Sequence, residues 1–156
     1  MNISLDLLKK LRQDSSAGVA DCRQALEDVN GDYAKAKKLL IERGMEKAAK
    51  KEGKETSQGV VESYVHSGKI GVLVEVRCET DFVARTDEFK NLAHEIALQV
   101  ASMNPKSVEE LLKTDYIRDT SVTIAQLVKQ TVAKVGENIT IAQFTRMILG
   151  DTIISE

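Results

Sequence analysis

The sequence of 156 residues has few cysteines, prolines and aromatic residues, and these shortages exclude several classes of protein. Its two cysteines, Cys22 and Cys78, lie in segments of different character and lack the clustering of a disulfide framework, so we expect both to be reduced and buried. One proline and nine glycines, with 42% hydrophobic and 29% charged residues, exclude collagen-like repeats and wholesale disorder. No apolar run approaches the roughly 20 residues of a membrane span, and residues 1–6 carry no signal-peptide pattern. We therefore expect a cytoplasmic protein without a membrane partner.

The charge is nearly balanced overall but uneven along the chain. The 22 basic and 24 acidic residues give a formal charge of −2, whereas residues 35–54 alone carry eight basic and three acidic side chains. This basic stretch indicates either a solvated helix surface or contact with an acidic partner. It lacks interleaved aromatic residues, so we do not expect direct nucleic-acid binding to be the main function.

The first 45 residues show helical periodicity. Apolar residues recur at helical spacing in three stretches, which cover residues 5–11, 19–29 and 33–40. Ser4 and Asp32 are good N-caps, and we expect the third helix to stop or kink at Gly44. Residues 45–54 are rich in alanine, lysine and glutamate and have no apolar stripe wide enough for a core helix, which predicts a connector. Residues 1–54 are therefore predicted to form a three-helix module and a basic connector.

The period changes from helical to two after Gly59, which predicts a second, α+β domain over residues 55–156. Residues 60–65 and 70–78 indicate a β-hairpin with its turn at 66–69. Helices are predicted after Thr86, around 108–112 and over 122–135, and residues 139–149 form a candidate third strand. We predict a small antiparallel sheet with helices packed on one face.

The sequence offers little for bond-making chemistry. Neither His66 nor His94 has a local nucleophile, and Cys78 could join a Cys-His pair only through tertiary folding. There is no paired-cysteine or histidine motif for a metal, and no glycine is followed by the residues of a phosphate-binding loop. We expect no enzyme activity, no metal site and no cofactor, and a cysteine-dependent enzyme stays as a competing interpretation.

One aromatic residue stands where a surface loop is predicted. The segment 78–85 joins a strand to a helix and places Phe82 beside Asp81. Phe82 either folds back as a plug under the sheet or is presented as an anchor to a pocket on a partner. Residue type alone favours the plug.

The run from residue 71 to 85, Gly-Val-Leu-Val-Glu-Val-Arg-Cys-Glu-Thr-Asp-Phe-Val-Ala-Arg, resembles the signature of the bacterial translation elongation factor Ts family. Three further blocks match the family in order, at residues 11–22, 47–51 and 136–139. The resemblance implies a module like a ubiquitin-associated domain followed by a core domain. It also implies guanine nucleotide exchange on the GTPase elongation factor Tu.

The resemblance assigns roles to two groups of residues. Asp81 and Phe82, framed by Thr80 and Val83, would intrude into the GTPase, disturb its Mg²⁺ site and release GDP. A second contact would come from the N-terminal module, through Arg12, Val19, Ala20 and Asp21.

The chain departs from the family pattern in three places. Val19-Ala20 stands where the family commonly has two methionines, and Ala142-Gln143 replaces a frequent basic pair. The stretch 105–122 is short and the core occurs once, so we expect a homodimer through a sheet edge and a 2:2 complex. The alternative function is a helical module over residues 1–54 that binds RNA or a ubiquitin-like protein, with a passive core.

Overall fold

The computed structural model describes residues 2–151, so Met1 and residues 152–156 of the two predicted domains lie outside the described residues. The helices are α1 (Leu5–Ser15), α2 (Val19–Asp28), α3 (Tyr33–Lys51), α4 (Asp81–Ala84), α5 (Asp87–Met103), α6 (Val108–Lys113) and α7 (Ile124–Val135). The strands are β1 (Gln58–His66), β2 (Ile70–Cys78), β3 (Asp115–Tyr116), β4 (Asp119–Thr123) and β5 (Ile139–Ile148). The α+β class is confirmed. Across the described part of the chain, every helix is too short or too polar to cross a bilayer.

The three predicted N-terminal helices are present and enclose a small core of their own. Leu11, Cys22 and Leu26 are fully buried in this cluster. The side chain of Asp32 caps α3 by accepting a hydrogen bond of 3.0 Å from the backbone N–H of Lys35. The sequence pattern therefore located both the helices and the cap between the second and third.

The predicted stop at Gly44 is wrong, because α3 continues unbroken to Lys51. The residues predicted as a connector, 45–54, include the last turns of α3, and Ala48 of this stretch is buried in the main core cluster. Gly44 and Ala48 are small, so α3 can lie close against α7. Because this contact uses small residues, the sequence of α3 shows no wide apolar stripe there. The division of domains after residue 54 stays a prediction.

The main sheet has three antiparallel strands in the order β1-β2-β5, so the predicted hairpin and third strand are confirmed. The inner face of β2, comprising Val72, Val74, Val76 and Cys78, is buried. Helix α5 covers this face with Phe89, Ile96 and other fully buried side chains. Leu73 on the opposite face is half exposed, so the helices pack on one face of the sheet as predicted.

A two-stranded hairpin, β3–β4, was not predicted. The buried Gln99 of α5 holds it: the Gln99 amide nitrogen donates to the carbonyl of Asp115 at 2.7 Å, and the N–H of Ile117 donates to the Gln99 amide oxygen at 3.1 Å. The helix predicted from residue 122 begins at Ile124, because Thr123 forms a capping box with Gln126.

Candidate functional site

Phe82 is exposed to solvent at the end of the sheet. It lies in the one-turn helix α4, which occupies the predicted loop, and 78% of the residue is exposed. This is the largest exposed fraction of any large apolar residue in the described part of the chain. The interpretation of Phe82 as a plug under the sheet is therefore wrong.

Thr80 fixes the start of α4. Its backbone N–H donates to Glu137 Oε1 at 2.9 Å, and its hydroxyl donates to Glu137 Oε2 at 2.7 Å. The same hydroxyl oxygen accepts a hydrogen bond from the N–H of Val83 at 3.4 Å, as expected of an N-cap. The Thr80 carbonyl accepts from the Ala84 N–H at 3.3 Å and from the Cys78 thiol at 3.1 Å. The polar groups of Thr80 are thus used within the chain.

The rest of α4 divides into a core side and a solvent side. Val83 is half-buried against the main core, and its carbonyl accepts from the hydroxyl of Thr86 at 2.7 Å. Asp81 pairs with Arg85 at 2.9 Å, but both side chains are at least half exposed, so this pair adds little stability. Because Val83 and Ala84 face the core, Asp81 and Phe82 face solvent.

The thiol beneath this segment is poorly suited to nucleophilic attack. Cys78 has no exposed surface, and burial, together with the negative charge of Glu137, raises the pKa of its thiol. A raised pKa keeps the thiol protonated at neutral pH. The competing interpretation of a cysteine-dependent enzyme therefore gains no support.

Residues 136–139 contact three parts of the fold, which are the end of α7, the segment after α3 and strand β2. Gly136 ends α7 with a φ of 75°, in the left-handed region that favours glycine. Asn138 donates from Nδ2 to the carbonyl of Lys54 at 2.8 Å, and Ile139 is buried opposite Cys78 in the sheet. Sequence analysis identified this block only as a match to a family and assigned Glu137 no role. That match was the one signal that could have drawn attention to it.

The second group of predicted site residues flanks the turn between α1 and α2. Arg12 lies exposed in the last turn of α1, and Val19 and Ala20 are exposed in the first turn of α2. Asp21 pairs with Lys47 of α3 at 3.0 Å. The structure brings these four residues to one turn. Within residues 2–151, no hydrogen bond or ion pair joins them to α4.

The basic stretch is partly neutralised by its own neighbours. Four of its eight basic side chains form ion pairs, and these pairs are Lys35–Asp32, Lys38–Glu42, Arg43–Asp28 and Lys47–Asp21. This arrangement fits a solvated helix surface. Of the two residues that replace the family's basic pair, Gln143 donates from Nε2 to Glu75 at 3.2 Å on the open face of the sheet.

Between residues 2 and 151, no three His, Cys, Asp or Glu side chains are grouped to hold a metal ion. A shallow cleft of about 280 Å³ lies between α3, α7 and β5, with a mostly apolar lining that includes Ala48, Val128 and Ile141. Its polar lining residues are Glu52, Lys129, Asn138 and Thr140.

Comparison with known proteins identifies the family. A family model described as Elongation factor TS matches residues 79–156. The elongation factor Ts of Coprothermobacter proteolyticus is 42% identical over 97% of this chain and its own full length. The elongation factor Ts of Fervidobacterium nodosum is 39% identical over 97% of this chain and its own full length. That of Thermotoga maritima is 38% identical over 97% of this chain and 98% of its own length. The first alignment spans 197 positions against a chain of 156 residues, so these relatives contain internal segments that this chain lacks. The chain belongs to the elongation factor Ts family of translation elongation factors.

Proposed function

We propose that this protein is a guanine nucleotide exchange factor for elongation factor Tu and that α4 carries the activity. Membership of the elongation factor Ts family supports the exchange function. The observation that carries the proposal is the exposure of Phe82 on a helix whose first residue is tied down by Glu137. Burial of a large, solvent-exposed apolar side chain by a partner lowers the free energy of the complex.

Phe82 acts as the anchor and Asp81 as the charged neighbour. Full burial of a phenylalanine side chain in a pocket of the GTPase stabilises the complex by about 1.5–3 kcal/mol. The exposed pair of Asp81 with Arg85 is weak, so the Asp81 carboxylate is free to face the nucleotide site. Together they displace Mg²⁺, which leaves the diphosphate of GDP poorly neutralised, and GDP is released.

Binding of nucleotide and binding of this protein to the GTPase affect each other reciprocally. The factor by which this protein weakens nucleotide binding equals the factor by which bound nucleotide weakens the binding of this protein. GTP binding therefore expels the exchange factor and completes the cycle. Exchange of this kind makes and breaks no covalent bond, so the protein acts as a binding catalyst, and we place it in the cytoplasm with the translation machinery.

The N-terminal module supplies the second contact, through Arg12, Val19, Ala20 and Asp21. All four lie around one surface turn, and Val19 is 47% exposed. Val19 and Ala20 present less apolar area than two methionines, so this contact is weaker than in most of the family. Residues 1–54 and 55–156 then serve as two binding units of one exchange factor.

A second copy of this chain completes the assembly as a homodimer that binds two GTPases. Sequence analysis predicted pairing through a sheet edge, but the exposed apolar residues favour the open face of the sheet. Val61, Val65, Leu73 and Met147 share this face and are at least half exposed. Because a two-fold axis sets the same surface of both copies against each other, it brings these apolar residues together.

The alternative function, an RNA-binding or ubiquitin-like-binding module over residues 1–54, has less support. Four of the eight basic side chains of residues 35–54 are already paired within the chain. Charge reversal at Lys50 and Lys51, for which no ion pair is found within residues 2–151, separates the two functions in the full chain: nucleotide exchange should persist, whereas binding of RNA by the module should be lost.

The experiment that tests the proposal is stopped-flow release of a fluorescent GDP analogue from elongation factor Tu. We expect the wild-type protein to accelerate release in a saturable manner. No acceleration at any concentration would refute the exchange function. Repeating the measurement in excess EDTA tests the Mg²⁺ step. The acceleration of GDP release should become smaller when Mg²⁺ is already absent. An equal acceleration with and without EDTA would contradict Mg²⁺ displacement and leave the exchange function standing.

A further inference from the structure

We propose that Glu137 is a positioning residue for nucleotide exchange, which holds α4 through Thr80 so that Phe82 is presented in a fixed orientation. This inference rests on the proposed function of Phe82. Glu137 lies 57 residues from Thr80 along the chain, yet its two carboxylate oxygens accept separate hydrogen bonds of 2.9 and 2.7 Å from the Thr80 N–H and hydroxyl. Hydrogen bonds to a charged acceptor are among the stronger ones in proteins.

Helix α4 needs such a tether because it is only four residues long. A single helical turn is unstable by itself, since fixing its backbone yields few hydrogen bonds. Phe82 contributes little to holding the turn, because 78% of it is exposed. The turn is held by the cap at Thr80, by the half-buried Val83 and the buried Ala84, and by the hydrogen bond from the Thr86 hydroxyl to the Val83 carbonyl. The position of Thr80 in turn depends on Glu137.

The backbone on both sides of Glu137 is restrained, so its carboxylate is held in a fixed position. Glu137 lies between Gly136, which ends α7, and Asn138, whose side chain binds the Lys54 carbonyl at 2.8 Å. The next residue, Ile139, is buried and paired with Cys78 in the sheet. Both neighbours therefore restrain the backbone that carries the carboxylate.

The consequence for exchange is pre-organisation. A side chain already held in its bound orientation loses less conformational entropy when it enters the partner than a mobile one does. Without the carboxylate, the part-buried Thr80 N–H and hydroxyl lose their acceptor and the turn opens more often. Glu137 then affects the rate of GDP release through Phe82, without contact to the GTPase.

The first measurement needs no GTPase. Amide hydrogen exchange by NMR at Thr80, Val83 and Ala84 compares wild type with Glu137→Ala and Glu137→Gln. We expect protection at these amides to fall at least tenfold in Glu137→Ala. The fall should be smaller in Glu137→Gln, which keeps one carbonyl acceptor. Glu109→Gln is the matched control, because it removes the same charge from an exposed ion pair with Lys113 on α6. Unchanged protection in Glu137→Ala would overturn the proposal.

The second measurement is a double-mutant cycle on GDP release at saturating exchange factor. We expect Glu137→Ala to lower the maximal release rate several-fold, with partial rescue in Glu137→Gln and no change in Glu109→Gln. In the Phe82→Ala background, Glu137→Ala should add no further loss. Losses that multiply would show a role independent of Phe82 and overturn the proposal. If wild type gives no acceleration, the proposed function fails, and amide protection alone decides whether Glu137 holds α4.

Discussion

Gly44 of α3 and Ala133 of α7 lie opposite each other, so that a methyl group added to Gly44 would be 3.5 Å from the Ala133 side chain. This distance is ordinary van der Waals contact. The two helices join the N-terminal module to the sheet domain, because Ala48, one turn further along α3, is buried in the main core.

The first prediction is that Gly44→Ala stabilises the protein. The new methyl group fits without clash, and alanine restricts the unfolded chain more than glycine does. We expect the free energy of unfolding in urea to rise by about 0.5–1 kcal/mol.

Gly136→Ala is the matched control for that measurement. A Cβ there would meet no atom within 4 Å, but the φ of 75° at this position is unfavourable for alanine. We expect a loss of roughly 1 kcal/mol. A destabilised Gly44→Ala variant would contradict the close but unstrained contact between α3 and α7.

The periodic parts of the fold could be predicted from the sequence, and the parts that depend on single contacts could not. The alternation from Ile70 to Cys78 fixed the central strand and its buried face. The length of α3 was missed because small residues such as Ala48 pack tightly while giving a weak hydrophobic signal. The β3–β4 hairpin was missed because it depends on one buried polar residue, Gln99.

A second prediction concerns alkaline pH. The hydrogen bond to Asp14 raises the pKa of Tyr33 to about 12, and burial together with the Glu95 carboxylate raises the pKa of Tyr116 to about 12. In the unfolded chain both titrate near the ordinary value of about 10. Between these values the folded state binds more protons than the unfolded state, so the free energy of unfolding falls as pH rises from about 10 to 12.

Urea unfolding at pH 8 and pH 11 tests this dependence. The double variant Tyr33→Phe/Tyr116→Phe should lose less stability over this interval than wild type does. Tyr64→Phe is the control, since the Tyr64 hydroxyl bonds to His66 at 2.8 Å and to no carboxylate. An equal loss in the double variant and in wild type would contradict the assignment.

A third prediction is that Cys78 is chemically inert. Its burial and raised thiol pKa leave little thiolate at pH 8, so iodoacetamide should modify it at least tenfold more slowly in the folded protein than in urea. Cys78→Ser should keep exchange activity and lose about 1–2 kcal/mol of stability, because a polar hydroxyl replaces a buried thiol. Loss of exchange in a folded Cys78→Ser protein would instead favour a role for the thiol in activity.

A fourth prediction is that a charge on the open face of the sheet separates the homodimer. Leu73 lies in the central strand and is 50% exposed. Sedimentation equilibrium at micromolar concentrations should give a dimer for wild type and a monomer for Leu73→Glu. Ile41→Glu, a similarly exposed position on α3, should leave the dimer intact. A wild-type monomer with full exchange activity would refute both the dimer and the 2:2 complex.

The candidate site was only partly predictable. The unusual position of Phe82 between a strand and a helix drew attention to it, but residue type alone favoured burial, and only the fold shows it exposed. Glu137 gave no local signal. Its contact with Thr80 joins segments 57 residues apart and is created by the pairing of β5 with β2.

The most direct test of the central claim compares GDP release from elongation factor Tu with wild type, Phe82→Ala and Ile117→Ala. Ile117 is another exposed apolar residue, on the β3–β4 turn, and its truncation removes apolar surface outside α4. We expect Phe82→Ala to slow release roughly 10- to 100-fold while its urea unfolding stays unchanged, because loss of a buried anchor costs about 1.5–3 kcal/mol in the complex. Ile117→Ala should match wild type. Full acceleration by a folded Phe82→Ala protein would contradict the claim that Phe82 drives nucleotide exchange.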